Sequence, residues 1–376
     1  MSEPRREQVS ERILIDAGRS SRGWSRIGNF FKCPQLFAYD QRLGLQLIPA
    51  DALTRGSMGH VMQAHLHARW GANQKDGTYA GAGHFRDPAV FYEPEEAVRV
   101  WCDQNGRGHE QIDRMVEVFR RYLAQFPEQP GHIVAVEYPV TAVLGTRRGK
   151  WGLWVVRTDE QGFDRNRPDV AAADSSTIEI TPVNHPGHPD HGKAVVLTRR
   201  IDLVIRDRGE RTWIWDHKHQ AHVQPGRSTG GYAIDGGFSA FRIIGQQLWT
   251  NGFGGVSLNL IQTTNPWRVS RPVVPPTPHR DGHFAEMLWR AEHEIARLDH
   301  TPGESLSPWH WPKAQSETVC IGRYGACAAI KLCSYGEAAV EDRHRPTKNP
   351  PVLRAIQGGQ NLTVTPPPNA LPTKTP

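Results

Sequence analysis

The sequence predicts an α/β fold, and three features of its patterning support this. Apolar residues recur at helical spacing in several segments, short apolar runs read as strands, and the two kinds interleave along the chain. From Ser25, Ile27, Phe30 and Phe31 share one helical face with Ser25 as the N-cap, and Pro34 then forces a break or a new first turn. A helix is expected over Ser57–Trp70, with Met58, Val61, Met62 and Leu66 as its apolar stripe. Asn73–Asp87 is rich in glycine and small residues and reads as loop. Glu95–Trp101 and Gln111–Phe126 read as helices and Ile133–Val140 as a strand. Arg200–Arg206 and Thr212–Lys218 form the clearest hairpin, turning at Arg208-Gly209. Phe238–Trp249 is helical, Val256–Gln262 a strand, and Phe284–Leu298 an amphipathic helix.

The 376 residues suffice for one large domain or two ordinary ones. The pattern predicts a flexible arm over 1–23, a single domain over 24–343 and a disordered Pro/Thr-rich tail over 344–376. Residues 141–198, with strand-like pieces at Leu153–Val156 and Thr177–Ile180, read as an insertion or a mobile flap. A formal net charge of +6 mildly favours an anionic partner such as nucleic acid. No apolar run reaches the roughly 18 residues a membrane helix requires, and the mixed-charge N-terminus is no secretory signal. A cytoplasmic protein is expected, in the host cytoplasm if viral. In a reducing compartment an odd, clustered set of five cysteines reads as ligands before disulfides.

The hairpin carries the chemistry. A three-residue loop, Arg208-Gly209-Glu210, pairs Asp207 with Arg211 and therefore sets Asp202 opposite Asp216, with Cβ atoms about 5 Å apart. Two acids on otherwise apolar strands call for a compensating cation. Lys218, two residues beyond Asp216, shares its face. A divalent ion between two carboxylates, with an ammonium beside it, is equipment for phosphodiester hydrolysis, and oxygen ligation suits Mg²⁺ or Mn²⁺. The plain alternative is a hairpin whose acids meet solvent.

Asp202 followed by Asp216-His217-Lys218 resembles the PD-(D/E)XK nuclease superfamily, in particular its RecB-like exonuclease branch. The resemblance implies a nuclease core with a mixed central sheet flanked by helices. That branch places a histidine on an upstream helix in a Gly-x-x-x-His context; Gly56-Ser-Met-Gly-His60 fits, which implies His60 as a further ligand favouring Mn²⁺. The resemblance also implies a glutamine on a helix after the lysine, for which Gln247 is preferred over Gln246, and an upstream acid for which Glu137 stands. The chain departs from the pattern at Arg199, where glycine is usual, at Ile201 in place of proline, at His219, where threonine often follows the lysine, and at Asn251, where an aromatic is common.

Cys33 stands near the N-terminus, and Cys320, Cys327 and Cys333 follow as Cys-x6-Cys-x5-Cys. One early cysteine and a late triplet resemble the iron–sulfur-stapled RecB-like nucleases, including AddB-type and CRISPR-adaptation modules. Four thiolates suit a [4Fe–4S] cluster or a structural Zn²⁺, and the absence of close Cys pairs favours the cluster. Cys102 stands apart and is expected in the core. The histidines of Asn184–His191 lack regular ligand spacing, and Gly187–Ala194 (GHPDHGKA) lacks the final Ser/Thr and following helix of a phosphate-binding loop.

The expected activity is that of a metal-dependent DNA exonuclease acting on ends, single-stranded ones included, in phage or bacterial recombination or repair. A nuclease trimming DNA for CRISPR spacer acquisition, with partner proteins of that pathway, is the alternative within enzymes. A catalytically silent DNA-end-binding scaffold is the alternative outside them.

Overall fold

The computed structural model describes residues 22–47, 51–75, 77, 79–81, 85, 91–105, 109–128, 131–158, 178–300, 307–314, 316–322, 325–327, 329–335 and 344–346. The elements begin with α1 (Trp24–Lys32), α2 (Pro34–Gln41), β1 (Leu45–Leu47), α3 (Asp51–Ala72), β2 (Ala80–Gly81), α4 (Pro94–Gln104) and α5 (Ile112–Gln125). Next come β3 (His132–Arg147), β4 (Lys150–Arg157), β5 (Ile178–Ile180), β6 (Val196–Arg206), β7 (Thr212–Gln220), α6 (Pro225–Ala233), α7 (Gly236–Trp249) and β8 (Phe253–Gln262). The last are β9 (Val269–Ser270), α8 (Pro278–Asp299), α9 (Glu317–Cys320), β10 (Ile321–Gly322), β11 (Gly325–Ala326), α10 (Ile330–Tyr335) and β12 (His344–Pro346).

The fold is α/β around a mixed sheet, ordered β2-β3-β6-β7-β8-β9 with β4 and β5 also paired to β3. β2–β3 and β7–β8 are parallel, and the other pairs are antiparallel. Parallel neighbours need a crossover connection, here α6 and α7 between β7 and β8. The β6–β7 hairpin closes as its loop chemistry requires: Asp207 Oδ1 accepts from the backbone N–H of Gly209 and Arg211, and Glu210 adopts a left-handed φ of 59°.

Alternation along β7 sorts its side chains. Trp213 and Trp215 join Leu203 and Ile205 in a cluster with Ala64 and Ala68 of α3. Asp216 and Lys218 therefore belong to the other face, where Lys218 Nζ lies 5.9 Å from the Tyr232 ring of α6. The expected stripe of α3 (Met58, Val61, Met62, Leu66) packs against Ala97, Val98, Trp101 and Cys102 of α4 and Ile112 and Met115 of α5. Cys102 is thus a core residue, as expected.

Several sequence expectations are corrected. By contact the chain falls into two compact units. The first comprises the chain up to Ser25 with Pro49–Thr181 and Ala194–Trp289; the second comprises Arg26–Ile48, Pro182–Lys193 and the chain from Arg290. At the ends of 141–198 the sheet continues: β3 runs on to Arg147 and pairs with β6 as far as Val143↔Val196, because Ala142, Val143 and Leu144 are apolar and buried. Helix α1 starts at Trp24, so Ser25 lies in its first turn and not at its cap. The tail expected from 344 begins with a strand, His344–Pro346, paired antiparallel with Leu45–Leu47. Backbone pairing needs no apolar side chain, which is why composition missed it. The arm over 1–21, residues 159–177 and the tail beyond Pro346 lie outside the described residues.

In the second unit two arginines bind the same face of α8. Arg26 pairs bidentately with Glu292, and Arg42 reaches Asp299 at 2.6 and 2.5 Å, seven residues further along the helix. Both guanidinium groups stack on Phe37, each 5.1 Å from its ring centre. Burial alone would raise the Asp299 pKa, but Arg42 foremost and His188 beside it hold the carboxyl below its ordinary value. A depressed folded pKa stabilises the protein above the unfolded value near 4, and the stabilisation fades as pH falls through the folded one. Asp299→Asn is expected to cost about 2–3 kcal/mol at neutral pH and almost nothing in acid. Thermal melts at the two pH values check it; an equal loss at both would remove the charge from the explanation.

Candidate active site

Three adjacent strands bring carboxylates into one row. Val136↔Leu203 and Tyr138↔Ile201 bracket Glu137 opposite Asp202, and the β6–β7 ladder, ending at Leu203↔Trp215, carries Asp202 on to Asp216. The register read from the hairpin loop is the one observed. The Asp202 carboxylate bends to the strand end, where its Oδ2 accepts the His217 backbone N–H at 2.8 Å. His60, from α3, places Nδ1 3.4 Å from the same oxygen. Glu137 has a left-handed φ of 51°, and its carboxylate lies 3.9 Å from Arg200 Nη1.

Asp216 is buried, and burial, joined by the charge of Asp202, raises its pKa although Lys218 and His60 pull it down. Its Oδ2 is paired with the Lys218 ammonium. For Lys218 burial works against the charge, but Asp216, Asp202 and Tyr232 outweigh it, so the ammonium is held protonated. Arg199 is a second cation here: its buried guanidinium stacks 4.1 Å from the centre of the Phe241 ring and feels Asp216, Asp235 and Asp202. The sequence marked Arg199 only as a departure; the signal available was two acids sharing one lysine.

Behind the site, β7 is anchored from β8. Asn259 Nδ2 lies 3.1 Å from His217 Nδ1 and 3.2 Å from the Tyr122 hydroxyl. Burial, then the neighbouring histidines, keeps His217 neutral. The contact of Asn259 with His217 Nδ1 ties the strand that supplies the N–H to Asp202 to β8. His67 stacks on His217 with ring centres 5.0 Å apart, and burial lowers its pKa to about 3. None of this network was read from the sequence.

His60, Asp202, Asp216 and Lys218 are therefore brought together. Gln247 is not. Its amide is spent on the β4 backbone, Nε2 donating to the Leu153 carbonyl at 2.6 Å and Oε1 accepting from Val155 N–H at 2.9 Å. The helix spacing was right, but α7 turns this residue to the sheet edge, where it stitches β4.

Two carboxylates and an imidazole are donor types that suit a divalent ion. Among the described residues no three His, Cys, Asp or Glu side chains already surround a common point at ligand distance. Lys218 takes the place beside Asp216 that such an ion would share.

In the second unit Cys33 caps α2, Cys320 ends α9, Cys327 follows β11 and Cys333 lies in α10. Burial raises the pKa of Cys327 and Cys333; Cys320 and Cys33 add to the first, Cys33 and Cys327 to the second. Cys327 and Cys333 both pack against the small apolar cluster of Tyr39, Leu45, Ala329 and Leu332. Lys32 and Lys313 pull in the opposite direction without reversing the rise. Donor number and charge fit a cluster or a zinc ion. His185 and His188 of the polar loop sit in turns, and His188 is committed to Asp299 at 3.3 Å.

Comparison with protein-family models and with curated protein sequences returns no match. No helix among the described residues is long and apolar enough to cross a membrane.

Proposed function

We propose that this chain is a divalent-metal-dependent deoxyribonuclease of the PD-(D/E)XK type, an exonuclease acting on DNA ends in bacterial or phage recombination or repair, in the cytoplasm. The supporting observation is the register that sets Asp202 and Asp216 in one row with Lys218 on the face of Asp216, His60 beside Asp202. Asp202, Asp216 and His60 would hold Mg²⁺ or Mn²⁺. When bound, the ion supplies Lewis acidity toward a phosphoryl oxygen and lowers the pKa of a water. Lys218, kept protonated, presents positive charge to a phosphate under attack, and Arg199 reinforces the field. Asn259 and His217 keep the N–H that orients Asp202. A catalytically silent end-binding role would give two acids set opposite one another on adjacent strands no use.

The test is digestion of end-labelled single- and double-stranded DNA with Mn²⁺, Mg²⁺ or chelator. Metal-dependent shortening from ends supports the reading, internal nicking moves it to an endonuclease, and intact DNA under every condition overturns it. Binding to the backbone releases counterions, so affinity for DNA is expected to fall between ten- and about a thousandfold from 50 to 200 mM salt, with little sequence preference. Titration of labelled oligonucleotides of different sequence at both salts reads it.

A further inference from the structure

The position where the chain departs from its family pattern, His219, lies beside the candidate ion site. Its ring centre is 5.6 Å from that of His60, the planes inclined at 60°. His217 and His219 project from β7 toward α3 by strand alternation, the face from which His60 approaches. The approach depends on a bare backbone: a Cβ on Gly59 would stand 2.2 Å from His219 Nε2. His219 Nδ1 is buried with no hydrogen-bond partner. An imidazole with an unbonded buried nitrogen is a poor filler, since an apolar side chain would fit the space without that cost. Beside His60, whose Nδ1 lies 3.4 Å from Asp202 Oδ2, a nitrogen donor has a use.

We propose, resting on the metal-site reading above, that His219 is a second imidazole donor, so that the site takes a borderline transition ion such as Mn²⁺ in preference to Mg²⁺. Mg²⁺ demands oxygen ligands in near-ideal octahedral array, whereas imidazole strengthens binding along the first transition row. Asp202, which His60 already approaches, supplies the negative charge on this side; His60 and His219 set which ion is held.

The experiment measures Mn²⁺ and Mg²⁺ binding by calorimetry on the full chain, with Mn²⁺ electron resonance as a second readout. His219→Thr removes the ring. Gly59→Ala keeps it but pushes it off the helix. Both are expected to weaken Mn²⁺ roughly tenfold or more, a loss typical of disturbing a metal site, while Mg²⁺ affinity holds. Retained Mg²⁺ binding and an unchanged melt show that the variants are folded; His219→Gln, which preserves volume, replaces any variant that is not. Wild-type Mn²⁺ affinity in the folded variants overturns the role of His219, and the nuclease reading survives if Asp202→Ala still abolishes Mn²⁺ binding. If Asp202→Ala leaves Mn²⁺ binding intact, the ion site itself is wrong and both fall.

Discussion

Asp216→Asn is expected to lower DNA cleavage at least about a thousandfold, the scale on which loss of a group stabilising transition-state charge is felt. The same substitution is expected to raise the melting temperature of the metal-free protein near neutral pH. Burial and Asp202 lift the Asp216 pKa, so the ionised carboxylate opposes folding above its ordinary titration range and the protonated form does not. The gain should therefore close as pH falls toward 4. Opposite signs on activity and stability separate a functional acid from a structural one. Lys218→Ala should match the loss of activity and lower stability, because Asp216 then stays buried without its cation. Near wild-type cleavage by Asp216→Asn would remove the site assignment, whatever the melts show.

Cys33→Ser is the second large effect. If Cys33, Cys320, Cys327 and Cys333 hold a common group, that group ties α2 to a segment almost three hundred residues later. Cross-links closing loops of this length stabilise by about 5 kcal/mol in the chain-entropy treatment. Cys33→Ser is expected to lose iron, acid-labile sulfide and brown colour from anaerobically prepared protein, with a melting temperature lower by about 10 °C or more. Cys102→Ser, in the core between α3 and α4, should keep the iron. Cleavage should decline with the folded fraction, since the acids belong to the other unit. Zinc in place of iron makes the staple a zinc site; metal-free wild type of unchanged stability removes the staple.

Most of the fold was legible because its signals are local. The α3 stripe, the hairpin loop and the Asp202–Asp216 opposition follow from periods of 3.6 and 2 and from one loop length. The hairpin register sufficed to place Lys218 with Asp216, and His60 came from a short motif. What was not legible depends on tertiary contact. Gln247 has the right helix and spacing, yet nothing in the sequence says that its amide bonds Leu153 and Val155. Arg199 and the Asn259–His217–Tyr122 network join segments far apart in the chain. Strand β12 is polar and carries a proline, so only its partner, Leu45–Leu47, reveals it. The row of Glu137, Asp202 and Asp216 needed the β3–β6 register, which no turn specifies.

The second unit is assembled from both ends of the chain, which orders events during synthesis. Arg26 and Arg42 find Glu292 and Asp299 only after α8 has been made. Cys320 is made roughly 290 residues after Cys33, which at 5–20 residues per second is about 15–60 s. Throughout that interval the Cys33 thiol and the apolar faces of α1 and α2 lack their late partners. The nascent chain is most vulnerable to oxidants and to capture by chaperones in this window. A pause placed before α8 lengthens that exposure, whereas a pause after Cys333 does not.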